Sequence, residues 1–263
     1  MQSTVLTERV CSLEANERPE KAVVTKRENL IMKLSIIIPI YNEKNTLPEL
    51  LERVEKAEVE GVLEKEVILV DDFSMDGTRD FLKNLNKGNY KVILHDKNYG
   101  KGAAVRGGFK EAGGDIFLIQ DADLEYDPED YQLLLKPILD GRADVVYGSR
   151  FTGHQPHRVL YNSHYVANRF LTFFSNLFTG LNLSDMETGY KVFTAEAARK
   201  ILPRLTSDRF GIEPELTAQV AKHNFRIYEV GISYHGRTYA EGKKINWKDG
   251  LAAIWHIIKF NLF

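Results

Sequence analysis

Short runs of branched apolar residues that stop at acids or amides constrain this chain more than any other feature. Residues 34–40 read Leu-Ser-Ile-Ile-Ile-Pro-Ile and end at Tyr41, Asn42 and Glu43. Residues 67–70 read Val-Ile-Leu-Val and end at Asp71 and Asp72. Residues 116–119 read Ile-Phe-Leu-Ile and run into Gln120-Asp121-Ala122-Asp123, while Val145, Val146 and Tyr147 lead to Gly148-Ser149-Arg150. Another apolar run, Val92 to Leu94, precedes a helical pattern from about Lys101. Leu47, Leu50, Leu51 and Val54 keep helical spacing between the first two runs, and a further helix is expected near Pro128 to Leu139. Strand and helix thus alternate five times, and the strands are apolar without a period of two. Strands of that kind are parallel and covered by helices on both faces. Ligands of such sheets bind beyond the carboxyl ends of the strands, which is where the charged residues fall.

Composition narrows the function classes. The chain has 263 residues, 43% of them hydrophobic, enough for a substantial core. Its 35 Lys and Arg against 37 Asp and Glu give a net charge of −2, which argues against a nucleic-acid partner held by phosphate neutralisation. The single cysteine, Cys11, excludes a disulfide framework and a four-cysteine zinc site and suits a reducing compartment. No apolar stretch reaches the roughly 18 residues that a bilayer span requires. Glu8, Arg9 and Glu14 interrupt the layout of a secretory signal. Composition alone therefore reads as a soluble cytoplasmic protein. The expected organisation is a flexible tail at residues 1–31, one main domain at 32–245 and an amphipathic helix at 246–263.

Asp121 and Asp123 stand at i and i+2 on extended chain, so both point to one side with their backbones about 7 Å apart. Two carboxylates so placed suit Mg²⁺ or Mn²⁺, which take one or two protein carboxylates plus phosphate oxygens and water. Glu125 is a candidate third oxygen. A helix cap explains Asp127-Pro128 without any function and leaves Asp121 and Asp123 unaccounted for. Asp71 and Asp72 have two readings: a polar turn before a helix capped by Ser74 or Asp76, or carboxylates that read a nucleobase or ribose. Gly100-Lys101-Gly102 either lets amides approach phosphates or lets a helix pack closely on the sheet. No G-x-S-x-G elbow and no histidine pair at metal spacing occur.

Taken in order, these pieces resemble a family 2 glycosyltransferase of the GT-A fold. The matching segments are Ser35 to Glu43, Val70 to Thr78, Asn98 to Gly102, Gln120 to Glu125, Gly148 to Arg150 and Asp185 to Phe193. Within that family the chain is most similar to the polyprenyl-phosphate (dolichol-phosphate) mannosyl- and glucosyltransferases. The resemblance implies an α/β fold with a Rossmann-like, mostly parallel central sheet and helices on both faces. It implies that Pro39, Tyr41, Glu43, Asp71 and Asp72 hold the nucleoside and that Lys101 belongs to the nucleotide-sugar site. Asp121 and Asp123 would be the metal-and-diphosphate motif, with Glu125 where relatives often carry Gln. Arg150 would contact the sugar or phosphates and Arg158 the acceptor phosphate. Arg237 and Lys243 would close over the diphosphate. Asp185 is a general-base candidate for a hydroxyl acceptor, or else orients Arg150 or Arg158. The catalytic set implied is therefore Asp123, Asp185 and Arg158.

Those roles describe an inverting, metal-dependent transfer of mannose or glucose from a GDP- or UDP-hexose to polyprenyl phosphate at the cytoplasmic membrane face. The alternative is a hydroxyl acceptor in cell-surface polysaccharide or glycolipid. A nucleotidyltransferase should carry a glycine-rich basic signature after the first strand, where this chain has Pro39-Ile40-Tyr41-Asn42-Glu43. Val166, Phe170, Phe173, Phe174, Leu177 and Phe178 recur at helical spacing, so residues 165–179 should form an amphipathic helix that either completes the core or meets lipid. The aromatic C-terminal stretch suits a membrane surface, a docking contact or a homodimer.

Overall fold

The computed structural model describes residues 32–85, 87–153, 158–159, 162–237 and 247–263. The expected tail at residues 1–31 and the candidate Lys243 lie outside these. The described strands are β1 (Met32–Ile40), β2 (Val62–Asp71), β3 (Tyr90–Leu94), β4 (Ile116–Ile119), β5 (Val145–Ser149), β6 (Lys191–Thr194) and β7 (Ile227–Gly231). The main helices are α1 (Leu47–Lys56), α2 (Thr78–Lys83), α3 (Lys101–Glu111), α4 (Tyr131–Leu139), α5 (Asn162–Thr179), α6 (Ala195–Ile201), α7 (Ile212–Lys222) and α8 (Trp247–Leu262). The strands form one seven-stranded sheet in the order β3-β2-β1-β4-β6-β5-β7.

The apolar runs are continuous because both faces of the sheet are covered. Leu34, Ile36 and Ile38 of β1 and Ile116 and Leu118 of β4 pack with α1 and α4 on one face. Ile37, Phe117 and Ile119, pointing the other way, pack with α3, α6 and α7. Ile37 pairs in parallel register with Ile68 of β2 and Ile119 of β4, so the three strands end at a common edge. As expected, Asp127 caps the turn at Pro128, accepting from Glu129 N at 3.1 Å.

Two strands extend the five that the apolar runs predict. β6 lies antiparallel between β4 and β5, and β7 pairs in parallel with β5 at the sheet's end. The orientation of β6 matters for the site. Because it runs backwards, its first residue Lys191 stands opposite Ile119, the last residue of β4. Residues 185–190 are thereby delivered to the edge where Asp121 emerges.

Close approach accounts for two glycines of α3, Gly102 and Gly108. A Cβ on Gly102 would collide with the carbonyl oxygen of Ser207, and one on Gly108 with Ile37 Cγ2. Ala103 N already donates to Asp208 O at 3.0 Å. Helix propensity alone would make Gly108→Ala stabilising by about 1 kcal/mol. The contact with the stiff Ile37 side chain should reverse the sign, and we expect urea denaturation to show a loss of about 1–3 kcal/mol.

Candidate active site

The loops at the carboxyl edge hold strained backbone. Asn42 after β1, Phe73 after β2 and Leu124 after β4 all adopt left-handed conformations, with φ of 53°, 68° and 59°. Each costs of order 1–3 kcal/mol for a residue that is not glycine, and such strain gathers at working sites. The first two loops are clasped together. Asn42 N donates to Ser74 Oγ at 2.9 Å, Met75 N donates to Asn42 Oδ1 at 2.8 Å and Glu43 N donates to Thr78 Oγ1 at 3.1 Å.

The adjacent acids after β2 have separate fates. Asp72 ties β2 to the entry of α3, accepting from Tyr99 N at 2.8 Å and Gly100 N at 2.6 Å, with His95 Nδ1 also 2.8 Å away. Asp71 is fully buried beneath the turn, accepting from Ser74 N at 3.3 Å.

After β4, Gln120 is locked by the hydroxyls of Tyr131 and Tyr190, which donate to its Oε1 at 2.8 and 2.7 Å. That fixes the strand end from which Asp121 projects. The Asp121 carboxylate lies against Gly189, where a Cβ would collide with its Oδ2. Lys101 Nζ stands 2.8 Å from Asp121 and 3.0 Å from Glu213 of α7, and Glu213 also pairs with the fully buried Lys191. Burial opposes the charge on Lys101, but Asp121 and Glu213 outweigh it and hold the ammonium above its ordinary pKa. Glu213 is likewise held below the usual carboxylate range: burial raises it and the two lysines more than compensate.

Arg237 serves the second group of acids. It reaches Asp123 at 2.9 Å, Glu125 at 3.3 Å and Glu43 at 3.6 Å. Asp123 is pushed up to about 7 by burial and then by Asp121 and Glu125, with Arg237 opposing. Glu125 is engaged by protein donors on both oxygens, from Arg237 N at 3.0 Å and Tyr234 OH at 2.8 Å. No group of three metal-ligating side chains gathers among the described residues. Asp121 and Asp123 are a pair of hard oxygen donors, which fits a Mg²⁺ or Mn²⁺ completed by phosphate oxygens and water, while both oxygens of Glu125 accept from protein donors.

Asp185 is fully buried and spent on Arg150. Its Oδ2 accepts from Arg150 N at 3.0 Å and Nε at 2.7 Å, and its Oδ1 from Nη2 at 2.6 Å. That pairing is the one the orienting reading requires, with both carboxylate oxygens accepting from Arg150.

One cavity of about 1290 Å³ collects most of the expected residues. Pro39, Tyr41, Glu43, Asp72 and Lys101 line it, with Asp121, Asp123, Glu125, Arg150, Arg158 and Arg237. Asp71 and Asp185 stand behind its wall. Three further lining residues take no role from the sequence, though Glu187 lies within the matching segment Asp185 to Phe193. Glu213 pairs with Lys101, Arg209 has no ion-pair partner among the described residues, and Glu187 is pushed up to about 7 by burial and by Glu213. Glu187 and Glu213 are visible only once β6 and α7 are packed at the edge.

At its far end the cavity runs between α5 and α8, lined there by Phe170, Leu171, Leu251 and Ile254. The expected amphipathic helix is present, but its apolar residues divide between two surfaces. Leu171, Phe174 and Phe178 pack with Met186, Ala253 and Ile257. Val166, Phe170, Phe173 and Leu177 form a stripe, each more than half exposed. Leu251, Trp255 and Leu262 make a similar exposed stripe on α8. No helix among the described residues is long and apolar enough to cross a membrane.

Comparison with known proteins agrees with this architecture. The chain belongs to glycosyl transferase family 2, whose profile matches residues 35–202. An undecaprenyl-phosphate mannosyltransferase of Micrococcus luteus is 32% identical over 252 residues, covering 88% of this chain and 99% of that protein. A dolichol-phosphate mannosyltransferase of Pyrococcus furiosus is 44% identical over 121 residues, 46% of this chain and 34% of that protein. Among solved structures, glucosyl-3-phosphoglycerate synthase of Mycobacterium tuberculosis, crystallised with Mn²⁺, UDP and phosphoglyceric acid, superimposes with a TM-score of 0.65 at 17% identity, covering 88% of this chain and 79% of that one. The resemblance carried by the motifs holds, as does the α/β GT-A architecture that it implied.

The Asp185–Arg150 pair yields a stability prediction. Asp185→Ala strands a guanidinium in the protein interior, and removing one partner of a buried pair costs about 3–5 kcal/mol. Chemical denaturation should register that loss in the ligand-free protein, where a carboxylate reserved for proton transfer would leave stability nearly unchanged.

Proposed function

We propose that this chain is an inverting transferase that moves a hexose, mannose or glucose, from a GDP- or UDP-sugar to polyprenyl phosphate at the cytoplasmic face of a membrane. One observation carries the reading: a single cavity joins the acid- and base-lined sheet edge to the gap between two helices with exposed apolar stripes. A substrate charged at one end and lipidic at the other matches such a cavity. The polyprenyl-phosphate acceptors named for the relatives support the same reading.

In this proposal Pro39, Tyr41, Glu43 and Asp72 receive the nucleoside, with Asp71 supporting the turn behind them. Asp121 and Asp123 hold Mg²⁺ or Mn²⁺, which when bound neutralises charge on the departing nucleoside diphosphate. Arg237 leaves its carboxylate partners for the diphosphate, and Lys243 acts with it. Lys101 pairs with Asp121 and holds it in place. Arg150, aligned by Asp185, faces the sugar and its phosphate. Arg158 positions the acceptor phosphate, whose oxygen attacks the anomeric carbon opposite the leaving group and inverts it. A phosphate is already largely ionised near pH 7, so the reaction calls for no general base. This agrees with the commitment of Asp185 to Arg150. The stripes on α5 and α8 rest at the bilayer surface and guide the prenyl chain, a peripheral attachment.

The test is transfer of labelled hexose from GDP-mannose and UDP-glucose to polyprenyl phosphate in the presence of Mn²⁺ or Mg²⁺. We expect label in a mild-acid-labile lipid, and a loss of at least 10²-fold in Asp123→Asn, on the scale of other losses of electrostatic stabilisation. Label only in polysaccharide or on a soluble sugar would overturn the lipid acceptor.

Two further measurements follow. EDTA should abolish turnover, and either Mn²⁺ or Mg²⁺ should restore it. Phe173→Asp combined with Trp255→Asp should reduce co-sedimentation with phospholipid vesicles by roughly tenfold or more, given about 1.5–3 kcal/mol for each large side chain withdrawn from an apolar phase.

A further inference from the structure

Glu187 is the one acid at this edge that the chain leaves unsatisfied. Asp121 has Lys101, Asp123 and Glu125 have Arg237, Asp185 has Arg150, and Glu213 has Lys101 and Lys191. Glu187 makes no hydrogen bond or ion pair among the described residues, and its Oε1 is the only fully buried carboxylate oxygen there without a partner. Leaving such a group unpaired costs about 1–3 kcal/mol. The basic groups around it, Arg150 and Lys191, are held by other carboxylates. A ligand is what remains to satisfy it, and Glu187 lines the cavity into which one would enter.

Its position and neighbours identify the ligand's chemistry. Glu187 lies between Asp185, which aims Arg150, and Gly189, on which the Asp121 carboxylate rests. It therefore borders the diphosphate-and-metal motif without belonging to it. An anion is disfavoured beside Glu187 and Glu213, and the nearby cations are already neutralised. A neutral group with both donors and acceptors fits, and burial keeps a share of the Glu187 carboxyl protonated near neutrality, able to donate from one oxygen and accept on the other. Adjacent sugar hydroxyls have that character.

We propose that Glu187 binds hydroxyls of the hexose carried by the nucleotide and is a specificity-determining residue for that sugar. The inference rests on the nucleotide-sugar reading above and adds the part of the donor that Glu187 recognises. Removing the carboxyl should weaken binding of the sugar moiety and leave the nucleoside diphosphate unaffected.

Calorimetry in Mn²⁺ separates the two. UDP and UDP-glucose, and GDP and GDP-mannose, are titrated into the wild type, Glu187→Gln and Glu187→Ala. For the pair that binds, the nucleoside diphosphate should bind all three proteins within about twofold. The ratio of sugar-nucleotide to nucleoside-diphosphate affinity should fall about tenfold in Glu187→Ala and much less in Glu187→Gln, which keeps the shape and a donor–acceptor pair. Monodeoxy analogues of the same sugar nucleotide give a second readout. The wild type should discriminate against at least one by about tenfold, and Glu187→Ala should lose that discrimination. An unchanged ratio, or a deoxy penalty that persists in Glu187→Ala, overturns the role of Glu187 while leaving the nucleotide site intact. Equal losses for diphosphate and sugar nucleotide in both variants overturn it too. Failure of the wild type to bind either diphosphate overturns the nucleotide-sugar reading itself, and this inference with it.

Discussion

The sheet edge works because its buried charges are linked in series. Lys191 on β6 pairs with Glu213 on α7, Glu213 with Lys101 at the start of α3, and Lys101 with Asp121 after β4. Each charge in the series stands against a neighbour of opposite sign, which offsets the cost of removing it from water. The consequence is geometric as well as electrostatic. Four elements distant in sequence are tied at one place, and the Asp121 carboxylate is held by Lys101 and by its rest on Gly189. A second set, Arg237 with Asp123, Glu125 and Glu43, is built from loops instead. One set therefore belongs to the rigid frame. The other depends on Arg237, which lies beyond the last strand.

Reversal of β6 turns this frame into a site. Parallel strands contribute the residues after their carboxyl ends, so β1, β2, β4 and β5 supply Glu43, Asp72, Asp121 and Arg150. An antiparallel strand contributes the residues before its start. Inserting β6 between β4 and β5 therefore brings Asp185, Glu187 and Gly189 to the same edge by a second route. Asp185 turns to Arg150 on the β5 side, Gly189 accommodates Asp121 on the β4 side, and Glu187 faces the space between.

Legibility in the sequence follows from whether a partner is local. Parallel strands announced themselves through runs such as Ile36-Ile37-Ile38, since both faces are buried and every position is apolar. β6 did not, because it is four residues long and opens with Lys191, whose burial makes sense only through Glu213, far along the chain in α7. Asp71 and Asp72 are chemically identical neighbours, and only the turn after β2 decides that one supports it from beneath while the other reaches the cavity wall. Asp185 and Glu187 pose the same problem two residues apart. The sequence singled out Asp185 and passed over Glu187; in the structure Arg150 claims the first and leaves the second without a partner. The periodicity of α5 likewise located the helix without revealing that its apolar residues serve two surfaces.

That division on α5 bears on how a long apolar substrate and a charged one can share a cavity. A helix packed with its whole apolar face against the core would leave the acidic edge open to water on that side. Here Leu171, Phe174 and Phe178 anchor α5 against Met186 and α8, so the outward stripe from Val166 to Leu177 is held in place without being buried by the protein. Phe170 belongs to that stripe and also lines the cavity, as Leu251 does on α8. The exposed apolar surface and the cavity are thus continuous through two side chains. In the proposed function, a prenyl chain following that surface would reach Arg158 phosphate-first, with the acids and their cations ahead of it. The proposed order of substrates along the cavity, nucleoside nearest β1 and β2, hexose beside Glu187, lipid between α5 and α8, matches where the fold can tolerate charge and where it leaves hydrocarbon uncovered.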